Sequence, residues 1–182
     1  MFPTMALPAT AARLLSLVRS ASGGDRAAFG ELYSRYSRMV HGILLARVRP
    51  SDAEDLTHDV FLAAMDRLPA LRDQGAFGGW LASIARSKAI DHLRSRRPAV
   101  ELPVSLASNE PPADSRVEAR RILQVIQELP DAYRETLILR LVEGLTGPQI
   151  AEQTGLTPGS IRVNLARGMK LLRERLEGNP TP

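Results

Sequence analysis

Apolar residues recur along this chain every three or four positions and do not alternate in long runs. That period belongs to helices. Leu14, Leu15 and Val18 mark a short first helix over residues 10–20, broken by Gly23 and Gly24. Asp25 is placed to cap a second helix, with the stripe Phe29, Leu32, Tyr33, Tyr36 and Val40. Its aromatics keep to one face, which makes them core. A third helix opens at Pro50 and Ser51, where Ser51 and Glu54 have capping-box spacing. Its inner face is Leu56, Val60, Ala63 and Ala64, with Phe61 beside them, and Pro69 ends it. The segment 70–79, with Gly75, Gly78 and Gly79, is expected to be a loop.

Residues 77–97 form the stretch around which the first half is organised. Phe77, Trp80, Leu81 and Ile84 share one helical face, and Ala85, Ala89 and Leu93 continue an apolar stripe. Arg86, Lys88, Arg94, Arg96 and Arg97 stand against one acid, Asp91, and Pro98 stops the helix. An aromatic anchor followed by a basic helix fits a nucleic-acid surface. It equally fits a buried tryptophan with a solvated charged end.

Residues 98–115 contain four prolines and no cation, and no regular element fits them. Helical spacing resumes at Arg116 to Leu129, with Val117, Ile122, Val125 and Ile126 inward. Pro130 and Asp131 open a further helix with Leu137, Ile138, Leu141 and Val142 buried, and Gly144 closes it. Thr146 and Gln149 have capping-box spacing ahead of a short helix that stops at Gly155. Thr157 and Pro158 begin the last helix. Its inward stripe is Ile161, Leu165, Leu172 and Leu176, with Met169 at the edge. Arg162, Val163, Ala166, Arg167 and Lys170 lie opposite. Two capped helices around a tight glycine turn form either a helix-turn-helix or a plain αα-hairpin with a charged outer face.

Leu, Ala, Arg and Glu dominate the 182 residues, as in an all-α protein. The absence of cysteine removes disulfides and thiolate metal sites and suits a cytoplasmic location. The mildly apolar start is too short and too interrupted to span a membrane, so no membrane insertion is expected. Net charge is +4, but unevenly spread: +5 over residues 1–97, −3 over 98–115 and +2 over 116–182. Two basic blocks joined by an acidic bridge suggest nucleic acid as a partner.

In order and spacing, these blocks resemble an extracytoplasmic-function sigma factor of the sigma-70 family. DRAAFGELYSRY at 25–36 and DAEDLTHDVFLAAMDRLPAL at 52–71 are similar to sigma region 2 and its polymerase-binding helix. FGGWLASIARSKAIDHLRSRRP at 77–98 resembles the segment that melts and reads the minus-10 element. The stretch from Leu129 to Leu176 resembles region 4, which reads the minus-35 element. The resemblance implies two small helical domains joined by a flexible acidic linker. Residues 10–97 would be region 2 and 116–177 region 4. A linker would fill 98–115, with a disordered N-terminus over 1–9 and a tail over 178–182. In relatives the linker threads toward the RNA exit path and mimics nucleic acid.

The same resemblance assigns roles. Core-polymerase contacts fall to Asp52, Glu54, Asp55, Asp59 and Phe61, facing the β′ coiled coil. Minus-10 binding and melting fall to Phe77, Trp80, Arg86, Ser87, Lys88, Asp91, Arg94, Arg96 and Arg97, with loop 70–79 holding a flipped base. Minus-35 reading falls to Ser160, Arg162, Val163, Asn164, Ala166, Arg167 and Lys170, on a domain that also docks on the β flap. Promoter DNA, the polymerase core and an anti-sigma factor are the implied partners. No catalytic residue, metal or cofactor is implied. The chain departs from the family at His58-Asp59 (usually Gln-Glu), at Ser87 (usually Asn) and at Asn164 (often Arg). The alternative is a helix-turn-helix regulator with an unrelated helical sensor domain. A metal-dependent hydrolase built on His58-Asp59 with His41 and Asp91 fits less well, because the carboxylates at 52–55 already serve a helix start and only three histidines are present.

Overall fold

A computed structural model describes residues 9–95 and 113–178, which form eight α-helices in two groups of four. The first group is α1 (Ala9–Ser22), α2 (Arg26–Leu45), α3 (Pro50–Arg67) and α4 (Phe77–Ser95). α2 runs through its middle and packs on the other three. Leu32, Tyr36, Met39, Val40 and Ile43 from α2 meet Val60, Phe77 and Leu81 in a fully enclosed core. Each such side chain contributes about 1.5–3 kcal/mol relative to exposure. The second group is α5 (Ala113–Gln127), α6 (Asp131–Leu141), α7 (Gly147–Thr154) and α8 (Pro158–Glu177). Ile126, Leu137, Ile138, Ile150, Ile161 and Leu172 form its core.

The caps explain most element starts. Asp25 accepts hydrogen bonds from the amides of Ala27 and Ala28 at 2.9 and 3.1 Å. Thr146 and Gln149 make a reciprocal capping box at the head of α7. Thr157 accepts from the Ser160 amide at 3.1 Å at the head of α8. Between α7 and α8, Gly155 takes φ +74°, a conformation that side chains with a Cβ disfavour.

At several points the structure departs from the sequence expectations. Ser51 does not cap α3: Arg49 occupies the cap position without a side-chain bond, and Pro50 is the first helical residue. Proline at that position sets φ and lacks an amide in need of a partner, which draws Ser51 inside the helix. Gly78 and Gly79 belong to the first turn of α4 rather than to a loop. The connection is shortened by two 3-10 turns, Leu68–Ala70 and Gln74–Ala76. Residues 113–115, expected in the linker, already belong to α5. The rest of the linker, Arg96, Arg97 and Pro98 lie outside the described residues.

Four residues expected inward are exposed: Leu93 at 50%, Val117 at 65%, Leu141 at 48% and Val142 at 50%. All four sit at helix ends. Periodicity identifies a face, but a face is buried only as far as the neighbouring helix extends.

The two groups pack against each other, α6 and α7 lying on α2 and α4. Gln127 donates to the carbonyls of Leu45 and Val48 at 2.8 and 3.2 Å, serving the open C-terminal end of α2. Gly42 lets α6 approach closely: a Cβ there would stand 2.7 Å from Leu139 Cδ2.

Candidate nucleic-acid interface

α8 presents a free outer face. Ile161, Gly168 and Leu172 are buried against the second core, and Leu165 packs at its edge. Arg162, Val163, Ala166, Arg167 and Lys170 are exposed on the other side. Gly168 sits where α8 crosses α6, since a Cβ there would meet Leu137 and Tyr133 at 3.1–3.2 Å. Ser160 is exposed and its hydroxyl lies 2.9 Å from that of Thr157, within the cap. Asn164 turns inward instead, half-buried, with its amide 3.5 Å from the Thr136 hydroxyl. Lys170 is highly exposed and 3.8 Å from Glu174. A short helix, a left-handed glycine and a longer helix with a cationic outer face have the composition of a major-groove reader.

On α4 the expected residues divide. Phe77 is fully enclosed, its ring 5.1 Å from that of Tyr36. It therefore holds the helix in place and offers no surface to DNA. Trp80 is half-buried, 5.8 Å from Phe77. Ser87, Asp91 and Arg94 are exposed, and Lys88 is half-exposed. Arg86 points into the seam between the two helical groups. It donates Nε to Glu135 Oε2 at 3.1 Å and Nη2 to Oε1 at 2.7 Å. That pairing raises the guanidinium's pKa further against the opposing effect of burial, so Arg86 remains charged.

The acidic face of α3 is partly open. Glu54, Asp55 and Asp59 are exposed. Asp52 is largely covered, 3.5 Å from Arg49 and 3.3 Å from His92. Phe61 is 3% exposed and its ring packs 4.4 Å from Tyr33, so it belongs to the core and not to the surface. The open apolar residues on this helix are Leu62 at 57% and Met65 at 46%, which sequence periodicity did not single out.

Sequence reasoning also missed a set of seam residues. Glu135 is buried between Arg86 and Arg47, with Arg47 Nη2 at 2.9 Å. His41 Nδ1 lies 2.6 Å from Glu143 Oε1, and Arg35 bonds Glu152 at 2.6 Å. Arg38 donates to the Glu143 carbonyl. One signal was present: Glu135 falls in helical register with Ile138, Leu139 and Val142, an acid on an apolar stripe.

Residues 32–98 match the Sigma-70 region 2 family and residues 119–172 match Sigma-70 region 4. The chain is 34% identical over 175 residues to the ECF RNA polymerase sigma factor BldN of Streptomyces coelicolor, covering 91% of this chain and 66% of that one. It is 33% identical over 178 residues to the ECF RNA polymerase sigma factor SigD of Mycobacterium tuberculosis, covering 90% and 84%.

The chain belongs to the ECF sigma factors of the sigma-70 family.

The solved structure of CnrH in complex with the cytosolic domain of CnrY shares the fold of this sigma factor, with a TM-score of 0.64. The two are 23% identical, and the likeness covers 92% of this chain and 99% of that one. The region 2 match accounts for the N-terminal half, so a regulator with an unrelated sensor domain is not favoured. Among the described residues no helix is long and apolar enough to cross a membrane.

Proposed function

We propose that this sigma factor directs transcription from a specific promoter class by binding the polymerase core and recognising and melting promoter DNA, without bond-making chemistry of its own. The observation that carries the reading is the exposed face of α8, where Arg162, Val163, Ala166, Arg167 and Lys170 stand together on a capped helix-turn-helix. Arginine suits guanine O6 and N7, and Val163 and Ala166 suit thymine methyls. Arg162 and Arg167 are separated by about 7.5 Å of helix rise, close to two base-pair steps.

The open part of α3, with Glu54, Asp55, Asp59, Leu62 and Met65, is the side offered to the β′ coiled coil. Region 4 would also dock on the β flap. Ser87, Lys88, Asp91 and Arg94 line the exposed side of α4 for the minus-10 strand, with Trp80 as the stacking ring. Arg96 and Arg97 extend that basic end along the chain. The family further implies an anti-sigma factor as antagonist.

Transcription of genomic DNA by core polymerase with this protein, followed by sequencing of the transcript 5′ ends, tests the reading. Start sites sharing one pair of upstream elements are expected. Tight sequence-specific binding to duplex DNA without polymerase, and no new transcripts with it, would overturn it.

A further inference from the structure

Between α7 and α8 an open groove of about 610 Å³ runs beside the cationic face of α8. Pro148, Ala151 and Leu156 form one wall, and Pro158, Ile161 and Leu165 the other. Ala151 and Ile161 are buried, while Pro148, Leu156 and Pro158 remain exposed. Two exposed charged residues, Glu152 and Arg162, complete the lining. A groove of this size lies in the range of pockets that hold ligands, and contiguous apolar surface left open on a monomer marks an interaction site.

The course of the chain points to what fills it. Glu152 ties the groove to α2, where Arg35 bonds it at 2.6 Å. α1 and α2 are joined by a tight turn at Gly23 and Gly24 and run antiparallel, with Arg13 beside Glu31 at 3.3 Å. About one helical turn back from Arg13 is Ala9, and one turn on from Glu31 is Arg35. α1 therefore begins level with the Arg35–Glu152 pair. Residues 1–8, MFPTMALP, precede that point, carry no charged side chain and include Phe2, Met5 and Leu7. Extended, a segment of that length reaches at most about 26–29 Å. The wall from Pro158 to Leu165 rises only about 10 Å.

We propose that residues 1–8 occupy the groove between α7 and α8 in the free protein, seating Phe2 and Met5 against Leu156 and Ile161 beside Arg162, and that duplex DNA displaces them. The occupancy stands on the geometry above; the displacement rests on the DNA-reading role proposed for α8. A segment tethered next to its groove has an effective concentration on the order of millimolar. Weak apolar contacts then suffice to fill the groove, and DNA can still empty it.

The chain has no cysteine, so Thr4→Cys can carry a single nitroxide. In the free protein the label should broaden the amide resonances of Leu156, Ile161 and Arg162 more than those of Gly30 and Ser34. The latter two line a second groove, between α1 and α2, that residues 1–8 could also reach. Phe2→Asp with Met5→Asp should abolish the preference without disturbing the fold, since both positions precede α1. Random-sequence duplex DNA at low salt should abolish it too. Removal of residues 2–8 should tighten binding of that duplex, about tenfold if the groove is filled nine-tenths of the time.

Broadening centred on Gly30 and Ser34, or a preference that survives the two aspartates, would overturn the occupancy. So would groove broadening seen when isotope-labelled wild type is mixed with an unlabelled copy carrying the nitroxide, because the segment would then come from a second molecule. A preference that survives DNA, or an unchanged duplex affinity after removal of residues 2–8, would overturn the displacement. These measurements use neither polymerase nor a promoter. Failure of promoter-directed transcription would therefore count against the sigma-factor reading alone.

Discussion

Gly78 of α4 and Gln153 of α7 are packed so closely that a Cβ on the glycine would stand 2.4 Å from the glutamine's carbonyl oxygen. Glycine within a helix is usually unfavourable by about 0.5–1 kcal/mol relative to alanine. At Gly78 the balance is reversed by a backbone atom that has no flexible side chain to give way. Gly78→Ala should leave region 2 folded, or slightly more stable alone, and loosen α7 from α4. Hydrogen exchange on the full chain should show faster exchange in α7 with α2 and α3 unchanged. Unchanged protection of α7 would mean that the seam yields elsewhere.

His41 gives the seam a pH dependence. Its hydrogen bond to Glu143 raises the imidazole's pKa, partial burial opposes this, and the charges of Glu143 and Glu54 add to the rise. Arg38, His58 and Tyr33 complete the polar pocket around it. A pKa raised on docking contributes its full stability below the undocked value of about 6.5 and loses it as pH climbs through the raised value. The docking of α6 and α7 on α2 and α4 should therefore weaken toward mildly alkaline pH. The distance between spin labels on two introduced cysteines, Asp66→Cys on α3 and Arg173→Cys on α8, followed from about pH 6 to 9, should lengthen in the otherwise wild-type chain. In His41→Gln it should be flat over that range.

On α8 the exposed arginines and the turned-in asparagine should behave differently. Arg162→Ala or Arg167→Ala should cost about 1–3 kcal/mol at the cognate minus-35 element and relax preference at one or two positions. Asn164→Ala removes the amide near Thr136 and should leave base preference intact, while lowering stability by about 0.5–1.5 kcal/mol. Selection from a randomised promoter library by polymerase carrying each variant reads the first effect. Thermal unfolding reads the second. Equal loss of affinity for every sequence would make the two arginines phosphate contacts.

The open side of α3 should carry binding without carrying stability. Leu62 is 57% exposed, so Leu62→Asp should change unfolding free energy by no more than about 0.5 kcal/mol. As an apolar residue beside exposed Asp55 and Asp59, it should weaken core-polymerase binding by about 1–2 kcal/mol. Phe61→Ala should do the reverse, destabilising the fold by about 3–5 kcal/mol because its ring is enclosed between Phe29 and Tyr33. Titration of labelled polymerase core, alongside melting curves, separates the two.

The helices were legible in the sequence because their causes are local. The stripe Leu32, Tyr36 and Val40, the Asp25 cap and the Thr146–Gln149 box each act within a few residues. The free face of α8 was legible for the same reason: the positions opposite Ile161 and Leu172 are fixed by 3.6 residues per turn. Asn164 escaped because half-burial depends on where α6 lies, and Leu141 and Val142 escaped because α6 ends before its stripe is covered. Arg86 shows the limit most clearly. Its place on a basic helix follows from the chain, but its partner Glu135 is 49 residues away and on another bundle. Ion pairs and close approaches such as Arg86–Glu135 and Gly78–Gln153 have no local periodicity to announce them. They exist only once two separately folded surfaces meet, and tertiary structure alone decides which charges and which glycines face each other.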